Sequence, residues 1–249
     1  MEPLIQCRSM RHVLRRVADA LYPRICPGCG QASDRPGRHI CWACFSRIEL
    51  FTESICEVCG RFVTGGVRHR FVCSACRSLK PAFERARSAG HFTGFLRDQL
   101  HAFKYNDALW LKEDLTDLLE GCLRASFEVA AVDVVVPIPL HPVKMRERNY
   151  NQAALLAECL AGRIDRRYDG RSVRRVIPTE SQTHLHAAER RENMRNAFAV
   201  ARPEWIRHRT VLLVDDVMTT GSTLDAAAHA LKKAGARHVW AVTVARGFR

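Results

Sequence analysis

Val211-Leu212-Leu213-Val214-Asp215-Asp216-Val217-Met218-Thr219-Thr220-Gly221-Ser222-Thr223 is the stretch that decides the fold of this 249-residue chain. Thr210–Val214 is β-branched and aliphatic throughout, as a strand buried on both faces of a parallel sheet has to be. Asp215 and Asp216 follow at its carboxyl end, the edge at which open α/β sheets bind their ligands. Met218 to Thr223 then turn into a helix that carries Leu224, Ala227, Ala228 and Leu231 on one face and stops at Gly235. Backbone N–H groups at the start of such a helix form an anion site, and Gly221 lets the chain approach a phosphate closely. The hydroxyls of Thr219, Thr220, Ser222 and Thr223 can donate to the same phosphate. The two carboxylates suit the vicinal hydroxyls of a ribose, or a Mg²⁺ ion bridging those hydroxyls to pyrophosphate. The competing reading is an ordinary strand and helix with a polar N-cap. The run of aliphatics, paired acids, two spacers and TTGST favours the ribose-phosphate reading.

Working outward, helical periodicity recurs over Leu96–Lys104, Leu109–Leu123, Ala153–Ile164 and Leu224–Ala234. Strand-like runs occupy Val132–Ile138, Thr210–Val214 and Val239–Ala245. Helices alternating with short apolar strands predict an α/β fold with a parallel sheet flanked by helices. The arginine-dense Arg163–Arg175 reads as a solvated connection. Glu180–Asn196, with His184, His186, Arg190, Arg191 and Arg195, reads as a polar cover over an active site. Met10, Val13, Leu14, Val17 and Leu21 fall at helical spacing and predict an N-terminal amphipathic helix.

Ahead of the α/β part lie four CxxC pairs: Cys26/Cys29, Cys41/Cys44, Cys56/Cys59 and Cys73/Cys76. Two thiolates separated by two residues can face one metal from a tight knuckle, and two knuckles complete a tetrahedral zinc site. Gly28, Gly30 and Gly60 supply the permissive backbone such turns need. The eight cysteines therefore predict a small double zinc-ribbon module with two structural Zn²⁺ ions. Pairing the first two knuckles on one ion and the last two on the other is the simplest assignment, and a cross-braced arrangement stays open. Redox chemistry would need one CxxC pair rather than four. Cys122 and Cys159 sit on apolar helical faces and read as packing residues. The change in texture near Phe83 divides the chain into residues 1–80, an N-terminal helix and double ribbon, and 81–249, the α/β domain.

The formal charge is +13. Two Zn²⁺ ions would add four positive charges and eight thiolates remove eight, leaving about +9. A polyanionic partner or a phosphate ligand therefore suits the chain. Arg8, Arg11, Arg15 and Arg16 interrupt any secretory core, and no apolar run reaches the roughly eighteen residues a membrane span requires. The cytoplasm is the expected location.

The two modules in this order resemble the ComF family, the competence-protein and GntX-like proteins with a phosphoribosyltransferase domain. The resemblance is carried by the CxxC pairs, Phe103-Lys104-Tyr105, Val136-Pro137-Ile138-Pro139-Leu140-His141-Pro142, Arg146–Gln152, Ser181–Phe198 and the 211–223 loop. It implies a type I phosphoribosyltransferase fold with a flexible hood. Asp215 and Asp216 would then bind the ribose hydroxyls and Thr219–Thr223 the 5′-phosphate. The turn after Val132–Ile138 would be the pyrophosphate side, with Lys144, Arg146 or Arg148 meeting the diphosphate charge. The same basic residues also read as a solvated helix start. Gln182, Arg190, Arg191 and Asn193 match the hood. Asn149 stands where the family usually has glycine, and asparagine tolerates left-handed geometry. His184 stands where the hood usually has glycine.

Three functions follow as expectations. One is a transferase that displaces pyrophosphate at C1′ of phosphoribosyl pyrophosphate with Mg²⁺. The second, which the resemblance implies, is handling of incoming single-stranded DNA alongside competence-machinery proteins. Net basicity and stacking groups such as Trp42 and Phe45 are compatible with it, and the same two rings read equally as filling the small core of the zinc module. The third is a sensor that binds phosphoribosyl pyrophosphate without turnover.

Overall fold

The computed structural model describes residues 23–51, 55–63, 71–176 and 197–247. The expected N-terminal helix, Cys7 and the polar Glu180–Asn196 segment lie outside these residues. Contacts divide the chain into two units, Met1–Ile48 and Glu49–Arg249.

In the first unit the knuckle at Cys26 is closed by Gly30 N donating to Cys26 O at 2.9 Å and Cys26 N donating to Gln31 O at 2.8 Å. Helix α1 (Trp42–Phe45) carries the second pair, with Cys41 as its N-cap. The buried Arg35 lies 4.0 Å from the Phe45 ring centroid and 5.0 Å from that of Trp42. Its Nη1 donates to Ile40 O at 3.1 Å. Phe45 and Trp42 thus flank a guanidinium, and Trp42 is exposed.

The second unit begins with a copy of the same device about thirty residues on. Gly60 N donates to Cys56 O at 2.9 Å and Cys56 N to Arg61 O at 2.8 Å, and helix α2 (Ser74–Leu79) has Cys73 as its N-cap. It then runs through β1 (Arg85–His91), α3 (Gly94–Tyr105), α4 (Lys112–Ser126) and β2 (Val134–Pro137). After these come α5 (Pro142–Arg148), α6 (Gln152–Arg163), β3 (Arg167–Tyr168), β4 (Val173–Arg175) and β5 (Phe198–Val200). The unit closes with β6 (Thr210–Met218), α7 (Ser222–Lys233) and β7 (His238–Arg246). Five strands form one parallel sheet in the order β1-β7-β6-β2-β3, and β4 and β5 form a separate antiparallel ribbon.

Alternation along the strands loads both faces. Val134, Val136, Val211, Leu213, Val239 and Ala241 pack with Leu224, Ala227 and Leu231 of α7 and with the second cysteine group. Val135, Leu212, Val214, Val242 and Val244 alternate with them and are equally buried. Helix α6 lies on β2 and β6, α4 lies on β1 and β7, and the two helices contact each other. From β2 the chain crosses through α6 to β3 on one side, and from β6 through α7 to β7 on the other. A crevice therefore opens beyond the carboxyl ends of β2 and β6, where the strand order reverses.

Three segments differ from the sequence expectation. Strand β6 continues to Met218, so both aspartates belong to it, because Asp215 and Val217 pair with Thr243 and Ala245 of β7. Strand β1 was not foreseen: Arg87 and Ser88 occupy buried positions and are satisfied by tertiary partners, among them Thr243 Oγ1 at 2.7 Å from Ser88 Oγ. The 163–175 segment is not a solvated connection. It contains β3, β4 and the buried Asp169 and Ser172.

Arg163 ends α6 and grips α4. It lies 2.6 Å from Glu113 Oε2, 2.7 Å from Asp117 Oδ1 and 3.4 Å from Glu120 Oε2. Burial favours its neutral form, but the bonds to Glu113 and Asp117 prevail and raise its pKa. Arg163→Met should lower stability by about 2 kcal/mol, a discounted figure because the acids keep part of their hydration. A wild-type urea midpoint in that variant would contradict the role.

Candidate functional site

The carboxyl ends of β2 and β6, the end of α3 and the start of α6 meet at the crevice. Tyr150 Oη donates to Phe103 O at 2.7 Å and Asn151 Nδ2 donates to Ile138 O at 3.0 Å. Gln152 Nε2 donates to Lys104 O at 3.4 Å. These bonds tie the turn after β2 to the last turn of α3. Asn151 also caps α6, accepting from Ala153 N at 3.0 Å. Helix α5 starts with Pro142 behind the His141 cap and ends at Asn149 with φ 59°, the left-handed geometry expected of that asparagine.

Lys104 is the residue whose role the sequence reading missed. It matched a family motif, yet nothing in its local pattern said which way it points. Its Nζ lies 2.5 Å from Asp216 Oδ2, and both side chains are largely buried. Burial pulls the Lys104 ammonium down to about 8; Asp215 opposes that and Arg148 and Lys144 reinforce it. Burial pushes the Asp215 carboxyl up to about 7, against the nearby charges of Lys104 and Arg175. Asp215 Oδ1 accepts from Asp216 N at 2.9 Å. Arg148 lies over the Tyr105 ring at 4.7 Å from its centroid and donates to Tyr105 Oη at 3.0 Å. The structure thus gathers Lys104, Arg148, Lys144, Arg175, Asp215 and Asp216. Arg146 is exposed on α5, and among the described contacts none joins it to this group.

The 219–223 loop leads from β6 into α7. Gly221 is its N-cap at φ 86° and is buried, and a Cβ there would come within 2.5 Å of Met218 Cε. Glycine is required on both counts. Thr219, Thr220 and Ser222 are exposed and Thr223 is half-buried. Thr220 Oγ1 and Ser222 Oγ are 3.0 Å apart, and Thr220 Oγ1 accepts from Ser222 N at 3.4 Å. Two hydroxyls thus converge beside the amides of Thr223 and Leu224, which precede the first intrahelical bond from Asp225 N to Gly221 O.

The cysteines gather as Cys26, Cys29, Cys41 and Cys44 and as Cys56, Cys59, Cys73 and Cys76, with all Sγ atoms of a group within 4.8 Å of one another. Knuckles pair in sequence order, and the cross-braced alternative does not occur. In each group the first thiol falls to about 7: burial opposes this, and backbone N–H groups of Cys41, Gly28 and Cys29, or of Cys73, Cys59 and Val58, prevail. Cys44 is pushed up to about 12 and Cys76 further, by burial and by neighbouring thiols. Four such thiols can ionise together only around a cation, and both groups fit a tetrahedral Zn²⁺ that holds the ribbon folded. No described helix is long and apolar enough to cross a membrane.

Comparison with known proteins agrees with this architecture. The family model for the Double zinc ribbon domain matches residues 17–78, and that for the Phosphoribosyl transferase domain matches 151–247. Competence protein F of Haemophilus influenzae is 32% identical over 212 residues, which cover 83% of this chain and 90% of the relative. The DNA utilization protein YhgH of Escherichia coli is 28% identical over 214 residues, covering 80% and 93%. Competence protein ComFC of Bacillus subtilis is 29% identical over 215 residues, covering 81% of each. Among solved structures, a purine phosphoribosyltransferase from Pyrococcus horikoshii aligns with a TM-score of 0.35 at 16% identity, over 55% of this chain and 83% of that one. With a double zinc ribbon ahead of a phosphoribosyltransferase-type sheet, and relatives matched over most of their length, the chain belongs to the ComF family of competence and DNA utilization proteins.

Proposed function

We propose that the crevice beyond β2 and β6 binds phosphoribosyl pyrophosphate or a related ribose 5-phosphate ligand. One observation carries the reading: two consecutive carboxylates, Asp215 and Asp216, stand on the strand that leads directly into a hydroxyl-rich helix-start loop. Thr219–Thr223 supply hydroxyl and amide donors for the 5′-phosphate. Asp215 and Asp216 accept from the ribose hydroxyls, and Lys104 and Arg148 supply positive charge for the diphosphate, with Arg146 on the same helix as Arg148. Mg²⁺, held through Asp215 and Asp216, would neutralise the diphosphate. In a transfer reaction the diphosphate leaves C1′ as a nucleophile bonds to it, and the same cations stabilise the departing charge. Calorimetric titration of the zinc-loaded chain with phosphoribosyl pyrophosphate and Mg²⁺ tests the reading. A saturable heat and a raised melting temperature are expected, and their absence removes both the enzyme and the sensor versions.

The pH dependence is specific. Asp215 has a pKa near 7, above its ordinary 3.8, so it stabilises the ligand-free fold below about 4 and that contribution is lost as pH rises through 7. A bound cation favours the ionised carboxylate, so Mg²⁺-dependent binding should strengthen as pH rises through 7. Lys104 loses its proton near 8, so binding should weaken again above that. Affinities measured between pH 6 and 9 that show no maximum would contradict these assignments.

A second reading is favoured by the relatives' names, Competence protein F and DNA utilization protein, together with the charge of +13. Here the chain handles single-stranded DNA in the cytoplasm, alongside competence-machinery proteins. Binding of a single-stranded oligonucleotide should weaken steeply between low and physiological salt and be lost on charge reversal at Arg146 and Arg148. Salt-independent binding would sink the electrostatic version.

A further inference from the structure

Arg246, at the carboxyl end of β7, is 2% exposed, and among the described residues no carboxylate pairs with it. Its Nη1 donates to Cys59 O at 2.5 Å and lies 3.2 Å from Met218 Sδ, while Nη2 lies 3.8 Å from Cys59 Sγ. A guanidinium kept from water needs a counter-charge. Four thiolates around one Zn²⁺ carry two net negative charges, and donors placed as this one is orient metal ligands.

The same side chain reaches the phosphate loop. Met218 and Arg246 are register partners, and Gly247 N donates to Met218 O at 3.0 Å. The Met218 methyl lies against Gly221, at the position a Cβ there would need. Contacts therefore run without a break from a metal ligand through Arg246 and Met218 to the N-cap of α7. A second tie comes from the chain leaving the ribbon, where Ala82 N donates to Asp225 Oδ1 in the first turn of α7 at 2.7 Å. Between these ties the ribbon and the loop do not pack continuously. A cavity of about 260 Å³ lies there, lined by Leu79, Pro81, Phe83, Thr220 and Ser222 among others. The knuckle itself is seated on the sheet: a Cβ at Gly60 would meet Ala86 O at 2.7 Å, whereas Gly30 in the first knuckle faces open space.

We infer that the second zinc centre, acting through Arg246, sets the position of the phosphate loop, so that affinity for a phosphate ligand follows the state of that centre. Arg246 is a positioning residue. The inference rests on the ligand reading above for its affinity arm alone.

The test uses the full zinc-loaded chain as wild type, Arg246→Gln and Arg246→Lys. Zinc per chain, amide hydrogen exchange and ribose 5-phosphate affinity are measured on each. In Arg246→Gln, amides of residues 217–224 should exchange about tenfold faster and ribose 5-phosphate bind about tenfold more weakly, a coupling of ordinary size. Exchange in α4 and α6 should not change. Arg246→Lys keeps the charge but lacks the second nitrogen that reaches Cys59 Sγ, and should lie between the two. Wild-type loop exchange in a zinc-retaining Arg246→Gln overturns the inference. If that variant does not fold, wild-type exchange in Arg246→Lys overturns it equally. Absence of ribose 5-phosphate binding by wild type would count against the ligand reading, and loop exchange would still decide the coupling.

Discussion

Cys73→Ser is expected to unfold the larger unit, whereas Cys44→Ser should disturb only the smaller one. Zinc per chain should fall from two to one in each variant. The asymmetry follows from where the second group lies. Cys56, Cys59, Cys73 and Cys76 are all buried within the same apolar cluster as Phe83, Val211, Leu213 and Leu224. The strand beneath them is bonded to the knuckle, with Ala86 N donating to Val58 O at 2.7 Å and Arg87 Nη2 to Glu57 O at 3.0 Å. Structural zinc contributes on the order of 10 kcal/mol to folding, comparable to the whole stability of a typical domain. Losing it therefore exposes thiolates, two buried arginines and one face of the sheet together. The first group belongs to Met1–Ile48, and its loss leaves the sheet's own core intact. Thermal melts followed by circular dichroism, with zinc analysis on the same samples, check both variants. A cooperative, wild-type melt of the α/β core in Cys73→Ser would show that the ribbon is only an appendage.

The paired substitution Asp215→Asn/Asp216→Asn should abolish Mg²⁺-dependent ligand binding, a loss of about 1000-fold if each charged acceptor contributes 2 kcal/mol or so. The single variants should separate in stability. Asp215 is held near 7 by burial, so at pH 8 the native state carries an ionised carboxylate in a poor environment. Asparagine removes that cost, and Asp215→Asn should melt at or above the wild-type temperature at pH 8. Asp216 is the ion-pair partner of Lys104. Its loss leaves a buried ammonium facing Arg148 and Lys144, so Asp216→Asn should cost about 2 kcal/mol, with Asp215 compensating in part. Equal destabilisation by the two singles would contradict this division, and wild-type binding by the double variant would remove the carboxylates from the site.

The cysteine ribbons and the β6–loop–α7 unit were legible because their chemistry is local. A CxxC knuckle closes within about five residues, and a strand that leads through two acids into TTGST passes straight into a glycine-capped helix start. The helices at 94–105, 152–163 and 222–233 followed from apolar spacing for the same reason. Residues whose meaning depends on a distant partner were not legible. Arg87 and Ser88 look like surface residues, yet they lie in β1 because Cys56, Glu57 and Thr243 receive their hydrogen bonds. Arg163 looked solvated because its three acids are more than forty residues earlier. Lys104 enters the site only because the turn after β2 folds back on α3.

By itself, then, the sequence determined four CxxC knuckles, a parallel α/β sheet and a strand–loop–helix unit with paired acids on its strand, each specified by contacts along a short stretch of chain. Tertiary structure alone decided that knuckles pair in order, that Lys104 stands against Asp216, and that Arg246 joins the second ribbon to the loop. Those are pairings of buried charges and polar groups across the fold. Burial makes such groups costly unless their partners arrive from elsewhere in the chain, and no local pattern names the partner.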